Sequence, residues 1–186
     1  MNRRDAIEHI SLLLGGTIVG STFFLNGCKS DTGKEAVFST DDVAYLDEIA
    51  DTILPPTSTP GAKAAKTGAF MTVMVNDCYE EKDQKIFHEG MKKLNDFSQK
   101  TNNKSFMESS PQQKHDLLVQ LDKEQRDYMK NKKQDDPSHY FRMMKELTLL
   151  GYFTSEIGCT QARRYVETPG RFEGCIPYKK GDKAWA

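Results

Sequence analysis

The chain has 186 residues and a formal net charge of −1. This length suits one folded domain, and the balanced charge excludes the strongly basic surface that nucleic-acid-binding proteins use. The four cysteines form no C-x-x-C pair and no C-x-x-C-H, a pattern that argues against a zinc ribbon, a thiol-oxidoreductase site and a covalently attached haem.

The first 27 residues have the pattern of a bacterial export signal. Arg3 and Arg4 supply positive charge, an apolar stretch covers residues 10–25, and a small residue precedes Cys28. The apolar stretch is too short and too rich in glycine for a membrane span, which needs about 20 predominantly apolar residues. Residues 1–27 are therefore expected to be removed after export. The paired arginines are compatible with a Tat signal or with an ordinary Sec signal.

The sequence Leu25-Asn26-Gly27-Cys28 resembles the lipobox of bacterial lipoproteins. In such a motif the Cys28 thiol takes a diacylglycerol, and the cysteine becomes the first residue of the mature chain. Several acyl chains anchor a protein firmly, because each buried methylene contributes about 0.8 kcal/mol. We expect a periplasmic protein anchored to a membrane by lipid, with residues 28–38 as the tether between membrane and fold.

The first helix of the folded part is predicted to begin after Ser39. Ser39 and Asp42 have the spacing of a capping box, and Pro55-Pro56 is expected to end the helix. Apolar residues between these limits recur at helical spacing and predict one buried face: Val43, Leu46, Ile49, Ala50 and Ile53.

The rest of the chain alternates helical segments with polar connections. One later helix opens on Ser110 as N-cap with Pro111 in its first turn, and the last is apolar nearly all round, so we expect it at the centre of the domain. No segment has the alternation of a strand, so residues 39–186 are predicted to form an all-α domain, a small helical bundle with an irregular extension from about residue 159. After the first helix, the predicted helices cover residues 67–79, 81–97, 110–128 and 137–158, with connections at 55–66, 100–105 and 131–136.

Motifs that carry chemistry are missing from the sequence. His88, His115 and His139 fall in different predicted helices without the H-E-x-x-H spacing of a metal site, and we interpret them as surface residues. No glycine-rich dinucleotide motif is present, so no catalytic, cofactor-binding or metal-binding residue is predicted. Three carboxylates of the first helix are interpreted as a solvated face and not as an acid/base pair: Asp47, Glu48 and Asp51.

Two parts of the chain have an unusual composition. Residues 51–62 are rich in proline, threonine and glycine, and residues 147–158 lead into a tail that contains aromatic residues, proline and glycine at short intervals. Such a tail has no core of its own and must lie on its own helices or on a partner. Tyrosine, tryptophan and arginine are the residues that most often anchor interfaces, and both alternatives stay open.

These pieces resemble the gluconate 2-dehydrogenase subunit 3 family, through ADTILPPTSTPGA (50–62), LTLLGYFTSEIG (147–158) and RYVETPGRFEGCIP (164–177) with the final AWA. The resemblance implies a non-catalytic small subunit beside a large flavoprotein dehydrogenase of the glucose-methanol-choline type, which oxidises a sugar or sugar acid. FAD is then expected in the large subunit and haem c in a cytochrome that accepts the electrons. In such complexes the small subunit commonly bears the export signal, so the folded pair is expected to cross the membrane together, which favours Tat.

The resemblance also implies a partner surface on the two motifs and the tail. With Cys28 lipidated, Cys78, Cys159 and Cys175 remain, and this odd number leaves one thiol free or paired with another chain, such as the large subunit. The alternatives are a stand-alone helical lipoprotein that binds a small ligand, and a catalytic protein whose histidines cluster around one cavity. The residues implied in the partner surface are Pro60, Gly61, Ala62, Gly151, Tyr152, Tyr165, Phe172 and Trp185.

Overall fold

A computed structural model describes residues 38–168 and 170–185. The predictions for Arg3, Arg4 and Cys28 lie outside the described residues. Residues 38–186 form one compact unit. Its described part contains helices and no strand, as predicted: α1 (Thr40–Ile53), α2 (Thr67–Cys78), α3 (Glu81–Asn102), α4 (Pro111–Asn131), α5 (Tyr140–Thr154) and a π-helical turn (Gly158–Ala162).

Serine capping boxes start α1 and α4, as the sequence predicts. The Ser39 hydroxyl accepts the backbone N–H of Asp42 at 3.2 Å, and the Asp42 carboxylate accepts the backbone N–H of Ser39 at 2.9 Å. Ser110 and Gln113 make the same reciprocal pair at 3.3 and 2.9 Å. Each box satisfies backbone donors that the first turn of a helix leaves without a partner.

Helix α3 is longer than predicted, and the expected polar loop over residues 100–105 begins only after Asn102. Asn103 takes the left-handed conformation, with φ 52°, and closes the helix there. Ser98 is buried, and its hydroxyl donates to the Lys104 carbonyl at 3.0 Å. This bond joins the last turns of the helix to the turn that follows it.

Helix α5 begins at Tyr140 and not at Pro137, which corrects the predicted start. The His139 ring nitrogen Nδ1 accepts the backbone N–H of Phe141 at 3.2 Å and so acts as the N-cap. The α-helix ends at Thr154, before Gly158, and the π-helical turn follows. Helix α4 runs to Asn131, a few residues past the predicted end.

Helix α5 is the central element of the domain, because it contacts each of the other four α-helices. Phe141, Met144 and Leu147 on this helix are buried. Leu149 and Leu150 nevertheless remain 39% and 46% exposed, so the expected cover around the helix is incomplete on one side. The same buried core includes side chains from the other four α-helices, among them Leu46, Ile49, Met71, Val75, Phe87, Leu94, Leu117 and Leu121.

None of the helices among the described residues combines the length and the apolar character that a membrane crossing needs.

Candidate partner interface: the loop–helix junction and the C-terminal arm

The loop between α1 and α2, residues 54–66, folds back on itself and on α5. The backbone N–H of Ala62 donates to the Leu54 carbonyl at 2.9 Å, which closes the loop at its base. The Tyr152 hydroxyl on α5 donates to the Pro60 carbonyl at 2.8 Å and lies 3.3 Å from the Thr59 hydroxyl. We call this contact between the loop, α1 and α5 the loop–helix junction. It joins the two sequence motifs that carry the resemblance.

Two carboxylates of α1 bind backbone N–H groups in and just after this loop. Asp51 accepts the N–H of Lys63 at 3.1 Å, and Asp47 accepts the N–H of Gly68, in the first turn of α2, at 2.7 Å. Helix α2 needs this partner, because its own N-cap residue, Lys66, has φ 55° and supplies no side-chain cap. Burial raises the pKa of Asp47 above its ordinary value.

The third carboxylate, Glu48, forms a small ion-pair network with two lysines. Lys114 on α4 has a side chain only 9% exposed, and its ammonium lies 2.8 Å from one Glu48 oxygen. Lys63 lies 3.0 Å from the other oxygen. The hydrogen bond from Lys114 holds the pKa of Glu48 below its usual value. The prediction of a solvated face at positions 47, 48 and 51 is therefore wrong, since all three carboxylates bind the loop or a neighbouring helix.

Two glycines of the motifs sit where a larger residue has no room. A Cβ on Gly61 would lie 2.8 Å from the Pro56 backbone nitrogen and closer still to the Asp51 carboxylate. A Cβ on Gly151 would lie 2.6 Å from the Phe70 ring. Glycine is used at both positions because chain segments approach each other closely there.

Five residues predicted for the partner surface lie inside this chain or partly inside it. Gly61, Ala62, Gly151 and Tyr152 are buried in this chain, and Pro60 is half-buried. They are interior because the loop and α5 use them to hold each other. Within the first motif, residues 50–62, only residues 55–58 are exposed.

The C-terminal arm, residues 163–185, is closed at its base by one arginine. The backbone N–H of Arg164 donates to the Ala184 carbonyl at 2.7 Å, and its Nε donates to the Lys183 carbonyl at 2.9 Å. The Arg164 guanidinium also lies over the Trp185 ring, 4.4 Å from the centroid. Lys183 adds a bond from its ammonium to the Gln161 carbonyl. These contacts bring the two ends of the arm together beside the π-helical turn.

Beyond this closure the arm buries nothing. Every described residue from 165 to 185 is exposed. Phe172 is 94% exposed and Tyr178 76%, while Tyr165 and Trp185 are each about half exposed. Of the two alternatives for the tail, packing of Phe172 and Tyr178 on the chain's own helices is therefore wrong.

The three histidines of the domain lie in different environments. His139 has a side chain only 10% exposed, and its ring lies between those of Tyr128 and Tyr140, with centroids 5.5 and 4.5 Å away. Burial lowers its pKa, and the prediction of a surface position is wrong for this residue. His88 is half-buried and His115 is exposed. In the described part of the chain, no three residues of the metal-binding types come together in a possible ion site.

The three cysteines of the domain are free thiols. Cys78 and Cys175 are exposed, and Cys175 lies in the arm. Cys159 is half-buried in the π-helical turn, where its thiol donates to the Phe153 carbonyl at 3.3 Å. The predicted bridge to another chain stays a prediction.

A helical domain with a loop bonded to its own helices and an exposed aromatic arm has the features of an accessory chain that binds another protein. The family described as gluconate 2-dehydrogenase subunit 3 matches residues 40–170, more than half of the chain, so the chain belongs to this family. The protein is thus an accessory subunit of a dehydrogenase complex and associates with other dehydrogenase subunits. Searches of curated proteins and of solved structures find no significant match.

The roles of Asp47, Asp51 and Arg164 were not predicted from the sequence. A signal for the first two was present, because residues four apart lie on one helix face and a proline- and glycine-rich loop follows that helix. Such a loop leaves backbone N–H groups that need acceptors. Arg164 gave no signal, since its partners are main-chain carbonyls at the far end of the arm.

Proposed function

We propose that this chain is the non-catalytic small subunit that escorts, stabilises and membrane-anchors a periplasmic FAD-dependent dehydrogenase acting on a sugar or sugar acid. The observation that carries the proposal is the exposed aromatic arm on a member of this family. Large apolar side chains that are almost fully exposed are costly unless a partner covers them.

The helical part of the domain supports the same proposal. Leu149 and Leu150 on α5 and Val73 on the adjacent helix α2 are exposed to 39%, 46% and 56%. Single exposed apolar residues are normal, but these three belong to two helices that pack directly against each other. They add exposed apolar side chains to those of the arm.

The roles of the subunits in this proposal follow from what the family resemblance implies. FAD belongs to the large subunit, and haem c belongs to the cytochrome that takes its electrons. The small chain contributes the export signal with Arg3 and Arg4, and the lipid on Cys28 holds the complex at the membrane. Tat is the favoured route, because the large subunit has to cross while folded and bound to this chain.

Export and anchoring are tested separately by three variants of the full chain, with the large subunit followed by its flavin fluorescence in cell fractions. Deletion of residues 1–27 should leave the large subunit in the cytoplasm. Arg3→Lys with Arg4→Lys should have the same effect if the route is Tat, and Cys28→Ser should release an exported complex from the membrane. Normal export of the large subunit beside the deletion variant would refute the escort role.

We also propose that one of the three cysteines bridges to the large subunit. Cys78 and Cys175 are the better placed, because both thiols are exposed in this chain. Mass spectrometry of the non-reduced complex should show a cross-linked peptide that contains one of them. Only free or intrachain thiols in that measurement would exclude the bridge.

The alternative, a stand-alone lipoprotein that binds a small ligand, has less support. Two depressions between described residues are open, and residues of polar or charged types line most of each. One of them is lined by Glu124, Asp127, Tyr128, Asn131, Lys132 and Asp136. Small-molecule sites are usually enclosed and mainly apolar, with a few convergent polar groups.

A further inference from the structure

The C-terminal arm combines a defined base with an outer part that has no internal support. Its ends are joined by the two hydrogen bonds of Arg164 and by the stacking of that guanidinium on Trp185. Between these ends no described residue is buried. A long segment without a core normally keeps its conformational freedom, so the closure must restrict where its aromatic side chains can go.

We propose that the arm is a preformed element that binds the large subunit of the dehydrogenase complex. In this assignment Phe172 and Tyr178 insert into apolar pockets on that subunit. Arg164 is a positioning residue, which holds the start of the arm against its end at residues 183–185. The inference rests on the proposed function, because it assigns the contact surface of the same complex.

The chemistry of the arm favours a protein surface as the occupant. Aromatic residues in desolvated pockets supply most of the binding energy in protein interfaces, and Phe172 and Tyr178 are the most exposed large apolar side chains of the described chain. The family associates with other dehydrogenase subunits, which favours a dehydrogenase subunit as the occupant. Arg171 and Glu173 pair with each other at 2.7 Å, so the charges beside Phe172 are largely satisfied within the arm.

A membrane surface is the competing occupant, since Lys179, Lys180 and Lys183 lie close to Tyr178 in the sequence. Basic residues beside aromatic ones suit anionic lipid. Acidic residues are interspersed, however, at Glu167, Glu173 and Asp182, and they oppose such binding. We therefore treat lipid as an outcome of the test.

The closure of the arm should act through preorganisation. A segment held near its bound conformation loses less entropy on binding than a free segment. Loss of the Arg164 contacts should weaken the complex without removing any side chain that touches the partner. This behaviour separates a positioning residue from a contact residue.

The experiment compares variants of the full chain for binding to the flavin-containing large subunit that co-purifies with the tagged wild-type chain. Phe172→Ala with Tyr178→Ala should weaken binding by about 100-fold or more, as expected for two aromatic anchors. Arg164→Ala should weaken it by about 10-fold, and Arg164→Lys by less, because lysine keeps a cation near Trp185. Val119→Ala is the matched control, since Val119 is 54% exposed on α4, and its binding should equal that of the wild type.

Hydrogen exchange of the free chain and of the complex provides the second measurement. Amides of residues 170–183 should be protected only in the complex. In Arg164→Ala the amide of residue 164, which donates to the Ala184 carbonyl, should exchange faster even without the partner, because the side-chain contacts that support this bond are gone. Unchanged binding of the aromatic double variant, or equal exchange of the arm in both states, would overturn the assignment. Protection of the arm by vesicles of anionic lipid, and not by the large subunit, would also overturn it.

Failure of the proposed function gives a different result. In that case the wild-type chain brings down no flavoprotein at all, and the assignment of the arm falls with it. If the wild type binds the flavoprotein and the arm variants bind equally well, the proposed function stands and only the arm is excluded.

Discussion

The loop–helix junction and the C-terminal arm have similar compositions and opposite environments. Both are rich in proline and glycine and both carry tyrosine. In the junction, backbone groups find partners on α1 and α5, as in the bonds from Lys63 to Asp51 and from Tyr152 to Pro60. In the arm, contacts between residues distant in the sequence lie at the base, where Arg164 contacts Ala184 and Trp185.

This difference shows that an unusual motif need not be a contact surface. Gly61 and Tyr152 looked like interface residues, yet they are interior groups that shape the domain. Phe172 and Tyr178 are the residues left for a partner. Substitutions in the junction should therefore change folding stability, while those in the arm should change association.

The largest difference is expected between two glycine substitutions. Gly61→Ala should lower the free energy of unfolding by about 3 kcal/mol, because its Cβ meets Asp51 and the Pro56 backbone with no room to move. Gly174→Ala is the matched control, since its Cβ would contact only the exposed Phe172 ring, 3.1 Å away, and should change stability by less than about 0.5 kcal/mol. Urea unfolding followed by circular dichroism measures both. Equal stability of the two variants would contradict the division between junction and arm.

The second prediction concerns Glu48→Gln, which breaks the pair with the nearly buried Lys114. At neutral pH the variant should be less stable by about 2 kcal/mol, the usual size for a hydrogen bond to a charged group. Because the folded pKa of Glu48 lies below its ordinary value, its stabilisation is present above that value and is lost as pH falls through the folded pKa. The difference between wild type and variant should therefore shrink below about pH 5.

Asp47→Asn is the control of opposite sign for this titration. The pKa of Asp47 is raised by burial, so the fold favours its protonated form and gains from it as the pH falls. Replacement by asparagine keeps an acceptor for Gly68 and removes this gain. Denaturant unfolding from pH 7 to pH 3 should show Glu48→Gln falling less steeply than wild type and Asp47→Asn falling more steeply. Parallel curves for all three chains would show that neither carboxylate has the assigned environment.

The sequence was a good guide to those parts of the fold that depend on local signals. The serine caps at residues 39 and 110 and the apolar face of α1 follow from neighbours within one or two turns. The predicted end of α3 was wrong, because the polar residue Ser98 lies inside the helix and binds the Lys104 carbonyl in the turn that follows it. The local sequence does not show where such a partner lies.

The candidate site was harder to predict, since its key contacts join residues far apart in the chain. Tyr152 reaches Pro60 and Lys114 reaches Glu48 only after the helices have packed. The residue types of both motifs were informative, but their burial was not. The exposure of Phe172 could be decided only once the domain showed no surface that covers it.

A smaller effect is expected from Tyr152→Phe, which removes one hydroxyl from the junction. The Pro60 carbonyl then loses its donor at 2.8 Å, and the free energy of unfolding should fall by about 1 kcal/mol. Tyr165→Phe is the control in the arm and should have no measurable effect, because Tyr165 is 54% exposed. Thermal unfolding of the two variants should differ by about 3 °C for a domain of this size. Two identical melting curves would show that the Tyr152 hydroxyl bond does not stabilise the junction.

The smallest effect on stability belongs to Phe172→Ala with Tyr178→Ala. Phe172 and Tyr178 are 94% and 76% exposed, so they bury little apolar surface when the domain folds. Their removal should change the free energy of unfolding by less than about 0.5 kcal/mol. The same double variant is the one expected to bind the large subunit most weakly. A domain that melted earlier without these rings would mean that they pack on α1–α5 in solution, and the arm would then belong with the junction. An unchanged melting curve together with lost binding would separate the two regions, because only a contact made outside this chain gives that combination.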